Sequence, residues 1–435
     1  MIYLTHHNLA KWTAGKWKKI TTSENILGVS QDSRKILPGM LYIALEGKNY
    51  NGHNFITEAF QKGAIAAVVS NSYRGKESDL LLVKEPLKAL QQIAYEYRKL
   101  WNGRLVGVTG SVGKTTVKDL CSVILGDKTH KSLGNYNNHI GVPLSLLSIN
   151  NRHNYSIIEI GMSKPGEIKK LSTMASPEIG IITDLGLAHR EYFETMEQIV
   201  DEKAELLRVL PKNGLAILMK NEKWYNELIK QTDAEIVDIG IDIDAKIQGS
   251  YQNGILNVEG YDYYLPKPGF HMAKNLLRAV TLGLVLGKNH TEMIEGLRSY
   301  VSAPMRWDEK IINGVNWIND AYNANPSSMK ASLMTLKENY SESRYAVIGE
   351  MFELGDIAEI EHVKLADYID QLELDGWIVL GSYGELMVKG RSGIYVESIE
   401  QAVDQLNKWI VSGDSILIKG SRGAAMERIL NFYKG

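Results

Sequence analysis

The chain has 435 residues, of which 44% are hydrophobic and 23% are charged, and its formal net charge is −2. This length suggests about three domains, and the composition is that of an ordinary globular protein. The mixed charges argue against a nucleic-acid surface, no apolar run reaches the ~20 residues that span a bilayer, and a single cysteine excludes a disulfide framework. The N-terminus lacks the apolar core of a signal peptide, so we expect a cytoplasmic protein without membrane insertion.

Residues 1 to about 84 predict a small α/β unit of short strands and helices. Within it, "SQDSRKILPGMLYIALEGKNYNGHNF" (30–55) places Arg34 beside a Pro-Gly turn and Lys48 in a polar loop that contains glycine. Turn chemistry explains these residues as well as binding of a nucleotide-type diphosphate does. Both interpretations remain open on these residues alone.

The stretch "GVTGSVGKTTVKDL" (107–120) predicts a phosphate-binding loop. A strand-like run (104–108) enters a turn with Gly110 and Gly113, and Lys114, Thr115 and Thr116 then open an apolar-periodic helix. Backbone N–H groups at a helix N-terminus attract anions, a lysine reaches the β and γ phosphates, and a hydroxyl ligates Mg²⁺. The general pattern has glycine six residues before its lysine, where this chain has Val108.

Strands and helices alternate around and after this loop. A helix from Pro86 to Leu100 precedes it, and a helix from about 272 to 287 closes this unit. The pattern predicts strands at 155–162, 178–186 and 214–219, helices near 164–174, 196–209 and 221–230, and a small antiparallel patch at 244–266. Such alternation indicates a mostly parallel sheet covered on both faces.

Two side chains near the ends of these strands are candidate metal ligands. Glu159 lies in the apolar strand "SIIEIGM", where a carboxylate is costly unless it is paired or bound to a metal. His189 follows the next strand, and on its own it fits a structural hydrogen-bonded residue better than a ligand. Because neighbouring strands deliver both to one sheet edge, we favour a Mg²⁺ role.

Other polar residues give weaker signals. Lys203 in "VDEKAELL" has the local sequence of a solvated helix-face lysine, and Asn137 and Asn138 in "GNYNNHIGVP" fit a loop cap as well as a substrate contact.

From about residue 303 a third α/β unit begins. Its predicted strands are 315–320, 344–349, 376–381 and 415–420, and its last helix runs from Ala424 to about Tyr433. Asp320 ends the first strand and could hold a ribose. "IKGSRGAAM" again predicts strand, glycine turn and helix, with Lys419 and Arg422 placed to bind a carboxylate. The three units are expected to pack around a shared cleft.

Taken together, these motifs resemble the Mur ligase family, the ATP-dependent amide ligases of peptidoglycan precursor synthesis. "TGSVGKTT" is similar to the family's phosphate loop, which explains the missing first glycine. The remaining motifs occur in family order: "NYNNHIGVP", "IIEIGM", "LGLAHREYF", "DEKAEL", "GFHMAKNLLRA", "PMRWD", "INDAYNANPSSM", "GEMFELGD" and "KGSRGAAME". The last three are most similar to the members that join D-alanyl-D-alanine to a UDP-N-acetylmuramoyl-tripeptide through an acyl phosphate.

The resemblance implies three domains and a role for each matching residue. Residues 1–84 would bind the UDP substrate, 85–302 would form the P-loop ATPase domain, and 303–435 a Rossmann-like domain for the amino component, in a chain expected to be a monomer. Two Mg²⁺ ions would be held by Thr115, Glu159, His189 and a carbamylated Lys203, and the catalytic set would be Lys114, Glu159, His189 and Lys203. ATP would contact Gly110, Ser111, Gly113, Lys114, Thr115, Thr116, Asn275, Arg306 and Asp320. The two substrates would contact Ser30, Arg34, Lys48, Asn137, Asn138, Lys419 and Arg422.

The chain departs from the family pattern at four positions: Met272, Pro304, Asp308 and Glu350. These departures motivate an alternative, a divergent ligase of the same type that acts on a different peptide or metabolite. An alternative of another class is a nucleotide-binding partner protein without catalysis, against which the intact phosphate and metal residues argue.

Overall fold

A computed structural model describes residues 4–22, 24–188 and 190–433. Its first sheet lies in the N-terminal part of the chain. Four of the five strands found there run parallel to one another. The short first strand, Lys16–Lys18, pairs antiparallel with Leu80–Val83. The spatial order is Lys16–Lys18, Leu80–Val83, Ala66–Ser70, Met40–Ile43 and Gly28–Ser30. A separate hairpin pairs Glu46–Gly47 with Tyr50–Asn51.

The central sheet has nine strands within the described ranges. Their order is Tyr261–Tyr264, Ile255–Val258, Ile247–Gln252, Glu235–Ile241, Leu215–Met219, Ile179–Ile182, Arg104–Thr109, Tyr155–Glu159 and Thr129–Lys131. Only the pairs made by Ile255–Val258 are antiparallel. The antiparallel patch expected at 244–266 is present, and Ile247–Gln252 also pairs in parallel with Glu235–Ile241, so the patch extends the main sheet.

The third sheet has six strands among the described residues. Their order is Asp308–Ile312, Val315–Asn319, Ser415–Lys419, Arg344–Ile348, Gly376–Val379 and Ile394–Tyr395, and only the first strand is antiparallel. Separate apolar clusters cover the two faces, one around Leu333 and Leu365 and the other around Ala402 and Ile429. Since helices cover both faces of mostly parallel sheets, the predicted α/β class is confirmed.

The helices fall between the strands, as the alternation predicts. They span His6–Thr13, Ile56–Gln61, Pro86–Arg98, Lys114–Leu125, Gly141–Leu147, Glu167–Ala175, Met196–Arg208, Tyr225–Leu228, Phe270–Val285, His290–Leu297, Pro326–Asn339, Ala358–Gln371, Gly384–Val388, Ile399–Trp409 and Ile429–Phe432. None of these described helices is both long and apolar enough to cross a membrane.

Two predicted helices are wrong in extent. The segment predicted as a helix at 221–230 forms only the turn-length helix Tyr225–Leu228, followed by a 3₁₀ turn. The helix expected from Ala424 begins at Ile429, because Ala425 takes a left-handed conformation with φ of 48° and separates two 3₁₀ turns. The "KGSRG" segment therefore does not lead directly into an α-helix.

One apolar core continues from the N-terminal sheet into the central unit. It includes Leu41 and Val68 of the first sheet, Ile93 of the helix Pro86–Arg98, and Leu105 and Ile158 of the central sheet. The N-terminal sheet is thus packed against the rest of the molecule rather than tethered to it.

Candidate active site

The phosphate loop (residues 110–113) lies between the central strand Arg104–Thr109 and the helix Lys114–Leu125. Adjacent parallel strands end at the same edge of the sheet, which brings Glu159 and the segment after Ile182 next to this loop. The backbone N–H groups of Ser111 and Val112 donate to the carbonyl of Asp184, at 2.9 and 3.2 Å. The loop is therefore fixed to the neighbouring strand connection at the sheet edge where ligands bind.

Two glycines permit this path of the chain. Gly110 has a φ of +150°, and a Cβ built there would lie 1.9 Å from the hydroxyl oxygen of Thr183. Gly113 caps the helix with a φ of +89°, and its Cβ would lie 2.7 Å from Oδ1 of Asn275. A side chain at either position would force the loop or its neighbours to move.

Two lysines converge on the carbonyl oxygen of Gly110. Lys114 donates to it at 2.8 Å and Lys203 at 3.0 Å. Desolvation lowers the pKa of Lys114. Desolvation, and secondarily the charge of Lys114, lowers the pKa of Lys203 well below its usual value.

The prediction that Lys203 is a solvated surface lysine, made from its local sequence, is wrong. Its side chain is 1% exposed, because the helix Met196–Arg208 turns this residue inward toward the phosphate loop. The adjacent Glu202 is also buried and accepts hydrogen bonds from the backbone N–H groups of Gly166 and Ile168. The acidic sequence around Lys203 thus does not mark a solvent face.

Glu159 is held at both carboxylate oxygens. The hydroxyl of Thr115 donates to Oε2 at 2.8 Å, and the side-chain amide of Asn137 donates to Oε1 at 2.8 Å. The glutamate is 2% exposed. The phosphate-loop helix, the neighbouring strand and the loop before residue 141 therefore meet at one buried carboxylate.

This arrangement fits one Mg²⁺ ion. Hydroxyl and carboxylate oxygens are ligands that Mg²⁺ accepts, and it usually takes one or two carboxylates together with substrate phosphates and water. Within the described ranges, no three His, Cys, Asp or Glu side chains cluster as a complete metal site. The predicted ligand His189 lies outside the described residues.

The third unit reaches this site through Arg306 and Asp320. Arg306 donates to the Thr115 hydroxyl at 3.1 Å and lies 4.0 Å from the ring centre of Tyr322. Asp320 forms a 2.5 Å ion pair with Lys419, which is 3% exposed, and accepts a 2.6 Å hydrogen bond from Ser332. In this structure the expected ribose-binding and carboxylate-binding side chains therefore neutralise each other.

These contacts surround a cavity of about 560 Å³, within the usual range for small-molecule sites. Its walls come from the central and third units. They include all the predicted ATP-binding residues except Gly110, together with Asn137, Asn138, Glu159 and Lys419.

Several predicted substrate residues lie apart from this cavity. Ser30 and Arg34 instead contact Asp32, by a 3.0 Å hydrogen bond and a 2.9 Å ion pair, and Lys48 is exposed. Arg422 pairs with Glu427 at 2.6 Å. Asn138 lines the cavity, but its side chain also accepts from the backbone N–H of Gly141 at 2.9 Å, as the loop-cap interpretation predicts.

Sequence reasoning missed two charged groups next to the phosphate loop. Asp184 pairs with Lys274 and, at 2.9 Å, with the fully buried Arg278. Desolvation opposes its ionisation, but these two cations lower the pKa of Asp184. Lys118 lies one helical turn after Lys114 and is 1% exposed. Its helical spacing from Lys114 and Thr115 is the signal that could have identified it.

Comparisons with known proteins extend over nearly the whole chain. Family models match for the catalytic domain of the Mur ligase family (25–98), the Mur ligase middle domain (108–283) and the Mur ligase glutamate ligase domain (305–422). The UDP-N-acetylmuramoyl-tripeptide–D-alanyl-D-alanine ligase of Bacillus subtilis is 31% identical, covering 99% of this chain and 98% of the relative.

Solved structures agree with the sequence relatives. MurF from Acinetobacter baumannii superposes with a TM-score of 0.91 at 27% identity, covering 100% of this chain and 99% of that one. MurF ligase from Thermotoga maritima in complex with ADP gives a TM-score of 0.83 at 26% identity, covering 94% and 97%.

Together with the α/β fold and its phosphate loop, these matches identify an ATP-dependent ligase. The chain belongs to the Mur ligase family.

Replacing Gly110 by alanine tests the geometry of the loop. We expect Gly110→Ala to weaken ADP binding by about 10-fold or more, because the new Cβ would displace either the loop or Thr183. Calorimetric titration of ADP measures the effect. Gly126→Ala is the matched control, since Gly126 also has a positive φ, ends the same helix and has open space around it. Wild-type ADP affinity in a folded Gly110→Ala protein would contradict the loop assignment.

Proposed function

We propose that this protein joins D-alanyl-D-alanine to a UDP-N-acetylmuramoyl-tripeptide while ATP is converted to ADP and phosphate, in peptidoglycan precursor synthesis. The observation that carries the proposal is a phosphate loop with a buried Thr115–Glu159 pair, in a chain similar from end to end to ligases of that name. We further propose that it acts in the cytoplasm as a monomer.

The proposed reaction has two steps. The terminal carboxylate of the tripeptide attacks the γ-phosphoryl group of ATP, and ADP leaves, so that an acyl phosphate forms. The free amine of the dipeptide then attacks the acyl carbon, the tetrahedral intermediate expels phosphate, and the amine loses a proton. Neither step needs a covalent bond to the protein, so catalysis consists of positioning and charge stabilisation.

The side chains of the cavity suit these tasks. Lys114 would hold the β and γ phosphates, with the N–H groups at the start of the helix Lys114–Leu125 supporting them. Asn275, Arg306 and Asp320 would position the nucleotide from the other wall, and Asn137 would orient Glu159. Lys419 would release Asp320 in order to meet a substrate carboxylate.

Thr115 and Glu159 would hold the first Mg²⁺, and His189 with a carbamylated Lys203 the second. When bound, Mg²⁺ supplies positive charge that stabilises the phosphate oxygens during transfer. An ammonium has no lone pair for a metal, so Lys203 could be a ligand only after its neutral amine has reacted with CO₂ to give an anionic carbamate. The lowered pKa of Lys203 favours the neutral amine.

We assign the domain roles as the motifs suggest. Residues 1–84 would bind the UDP moiety through Ser30, Arg34 and Lys48, residues 85–302 would bind ATP, and 303–435 would bind the dipeptide with help from Arg422. Because the apolar core continues across residue 84, point substitutions such as Arg34→Ala test these roles better than truncation does.

The departures from the family pattern support a second candidate, a ligase of this type with a changed substrate. Met272 replaces a polar side chain and lines the cavity, where it is 5% exposed. Pro304, Asp308 and Glu350 lie outside the cavity wall, and Glu350 accepts a hydrogen bond from the backbone N–H of Ser382. Of the four departures, Met272 is thus the one placed to contact a ligand in the cavity.

One experiment separates these candidates. The protein is incubated with ATP, D-alanyl-D-alanine and a panel of UDP-N-acetylmuramoyl peptides, and the products are identified by mass. We expect one tripeptide to gain the dipeptide, with Lys114→Ala about 10²-fold slower because a preorganised charge is lost. ATP turnover only with a different carboxylate or amine substrate, added in place of these, would favour the changed substrate. Nucleotide binding without turnover would favour a non-catalytic partner protein.

Lys203 gives a prediction of its own. If it acts as a carbamate, Lys203→Ala should lose activity, Lys203→Arg should not restore it, and short carboxylic acids should recover part of the rate of the alanine variant. Steady-state kinetics with and without added acid measure this. A Lys203→Ala enzyme of normal rate would contradict the carbamate, as would an unmodified Lys203 in an active, substrate-loaded enzyme.

A further inference from the structure

Lys118 places a buried positive charge beside the proposed metal ligands. Its Nζ donates to the carbonyl of Gly134 at 2.8 Å and lies 3.7 Å from Oε2 of Glu159 and 3.8 Å from Oδ1 of Asp119. The side chain is 1% exposed. Because burying an ammonium is costly unless acceptors and opposite charges surround it, these three oxygens explain how the fold accommodates Lys118.

The same oxygen of Glu159 serves two partners. Oε2 accepts the hydroxyl of Thr115 and faces the ammonium of Lys118. A divalent cation that binds between Thr115 and Glu159 would therefore approach a fixed positive charge. Such repulsion is strong in a site that is shielded from water.

We propose that Lys118 is an electrostatic positioning residue that makes binding of the first divalent cation depend on ATP. Without nucleotide, Lys118 neutralises Glu159 and weakens the site for a bare cation. When ATP is present, its phosphates add negative charge next to Lys114 and Thr115 and offset the charge of Lys118. This inference rests on the proposed role of Thr115 and Glu159 as metal ligands.

The hydrogen bond to Gly134 dictates the choice of variants. Gly134 belongs to the loop that also carries Ser132, whose hydroxyl accepts from the backbone N–H of Glu159, and Asn137, which donates to the Glu159 side chain. Lys118→Gln removes the charge and retains a donor for this loop. Lys118→Met keeps a similar side-chain length but removes both the charge and the donor. Comparing the two variants therefore separates the effect of the charge from the effect of the hydrogen bond to Gly134.

Binding of Mn²⁺, used as a probe for Mg²⁺, tests the proposal on the full-length protein. Free Mn²⁺ is measured by electron paramagnetic resonance with and without a non-hydrolysable ATP analogue. We expect the wild type to bind Mn²⁺ weakly alone and tightly with the analogue. Both variants should tighten binding without the analogue by about 10-fold or more, and so lose part of the dependence on nucleotide.

Lys131→Gln is the matched control. Lys131 pairs with Asp119 at 2.7 Å, and its side chain is 37% exposed, so its charge is screened by solvent. We expect wild-type Mn²⁺ affinity in this variant. Circular dichroism establishes that each variant folds, and Lys118→Gln decides the question should Lys118→Met fail to fold.

Glu159→Gln distinguishes failure of the proposed metal site from failure of the proposed role of Lys118. If it weakens Mn²⁺ binding with the analogue, but the Lys118 variants bind Mn²⁺ alone as weakly as the wild type, the role of Lys118 is overturned and the metal assignment stands. If Glu159→Gln leaves binding with the analogue unchanged, the metal assignment fails and the role of Lys118 fails with it.

Discussion

The close approach of Gly110 to Thr183 is the constraint on which the site depends. Glycine suits this point after the strand Arg104–Thr109, since its φ of +150° is rare for other residues and a Cβ would lie 1.9 Å from the Thr183 hydroxyl oxygen. The carbonyl of Gly110 then accepts from both Lys114 and Lys203. The positions of two lysine side chains thus follow from one backbone turn.

Three lysine side chains lie close together in this site. The three lysines at positions 114, 118 and 203 lie around one short helix N-terminus, and desolvation lowers the pKa of each. Neutral backbone carbonyls are among the acceptors of all three. An anionic ligand stabilises the charged form of such lysines, and a polyphosphate at a helix N-terminus is the ligand that this geometry suits.

Much of this arrangement follows from the sequence. The glycine turn, the lysine and the hydroxyls of residues 110–116 have a local mechanism that does not depend on distant residues, so the loop could be predicted. Glu159 could be predicted as well, because a carboxylate in an apolar strand needs a partner. The alternation of strands and helices predicts the α/β class, because helices that follow each strand bury both faces of a parallel sheet.

Other features depend on tertiary contacts that local patterns do not contain. The acidic neighbours of Lys203 suggest solvent, but the neighbouring Glu202 is buried as a hydrogen-bond acceptor for another helix. The pairing of Asp184 with Arg278 joins residues 94 positions apart. The contact of Arg306 with Thr115 depends on how the third unit packs against the second. Helical or strand periodicity in the sequence does not reveal any of these contacts.

The central claim is that the phosphate-loop cavity activates a carboxylate by phosphoryl transfer. Oxygen-18 in the terminal carboxylate of the tripeptide substrate tests this most directly. During turnover with ATP and D-alanyl-D-alanine, formation of an acyl phosphate predicts that one labelled oxygen appears in the released phosphate, as measured by mass spectrometry. Amide product formed together with entirely unlabelled phosphate would contradict the account.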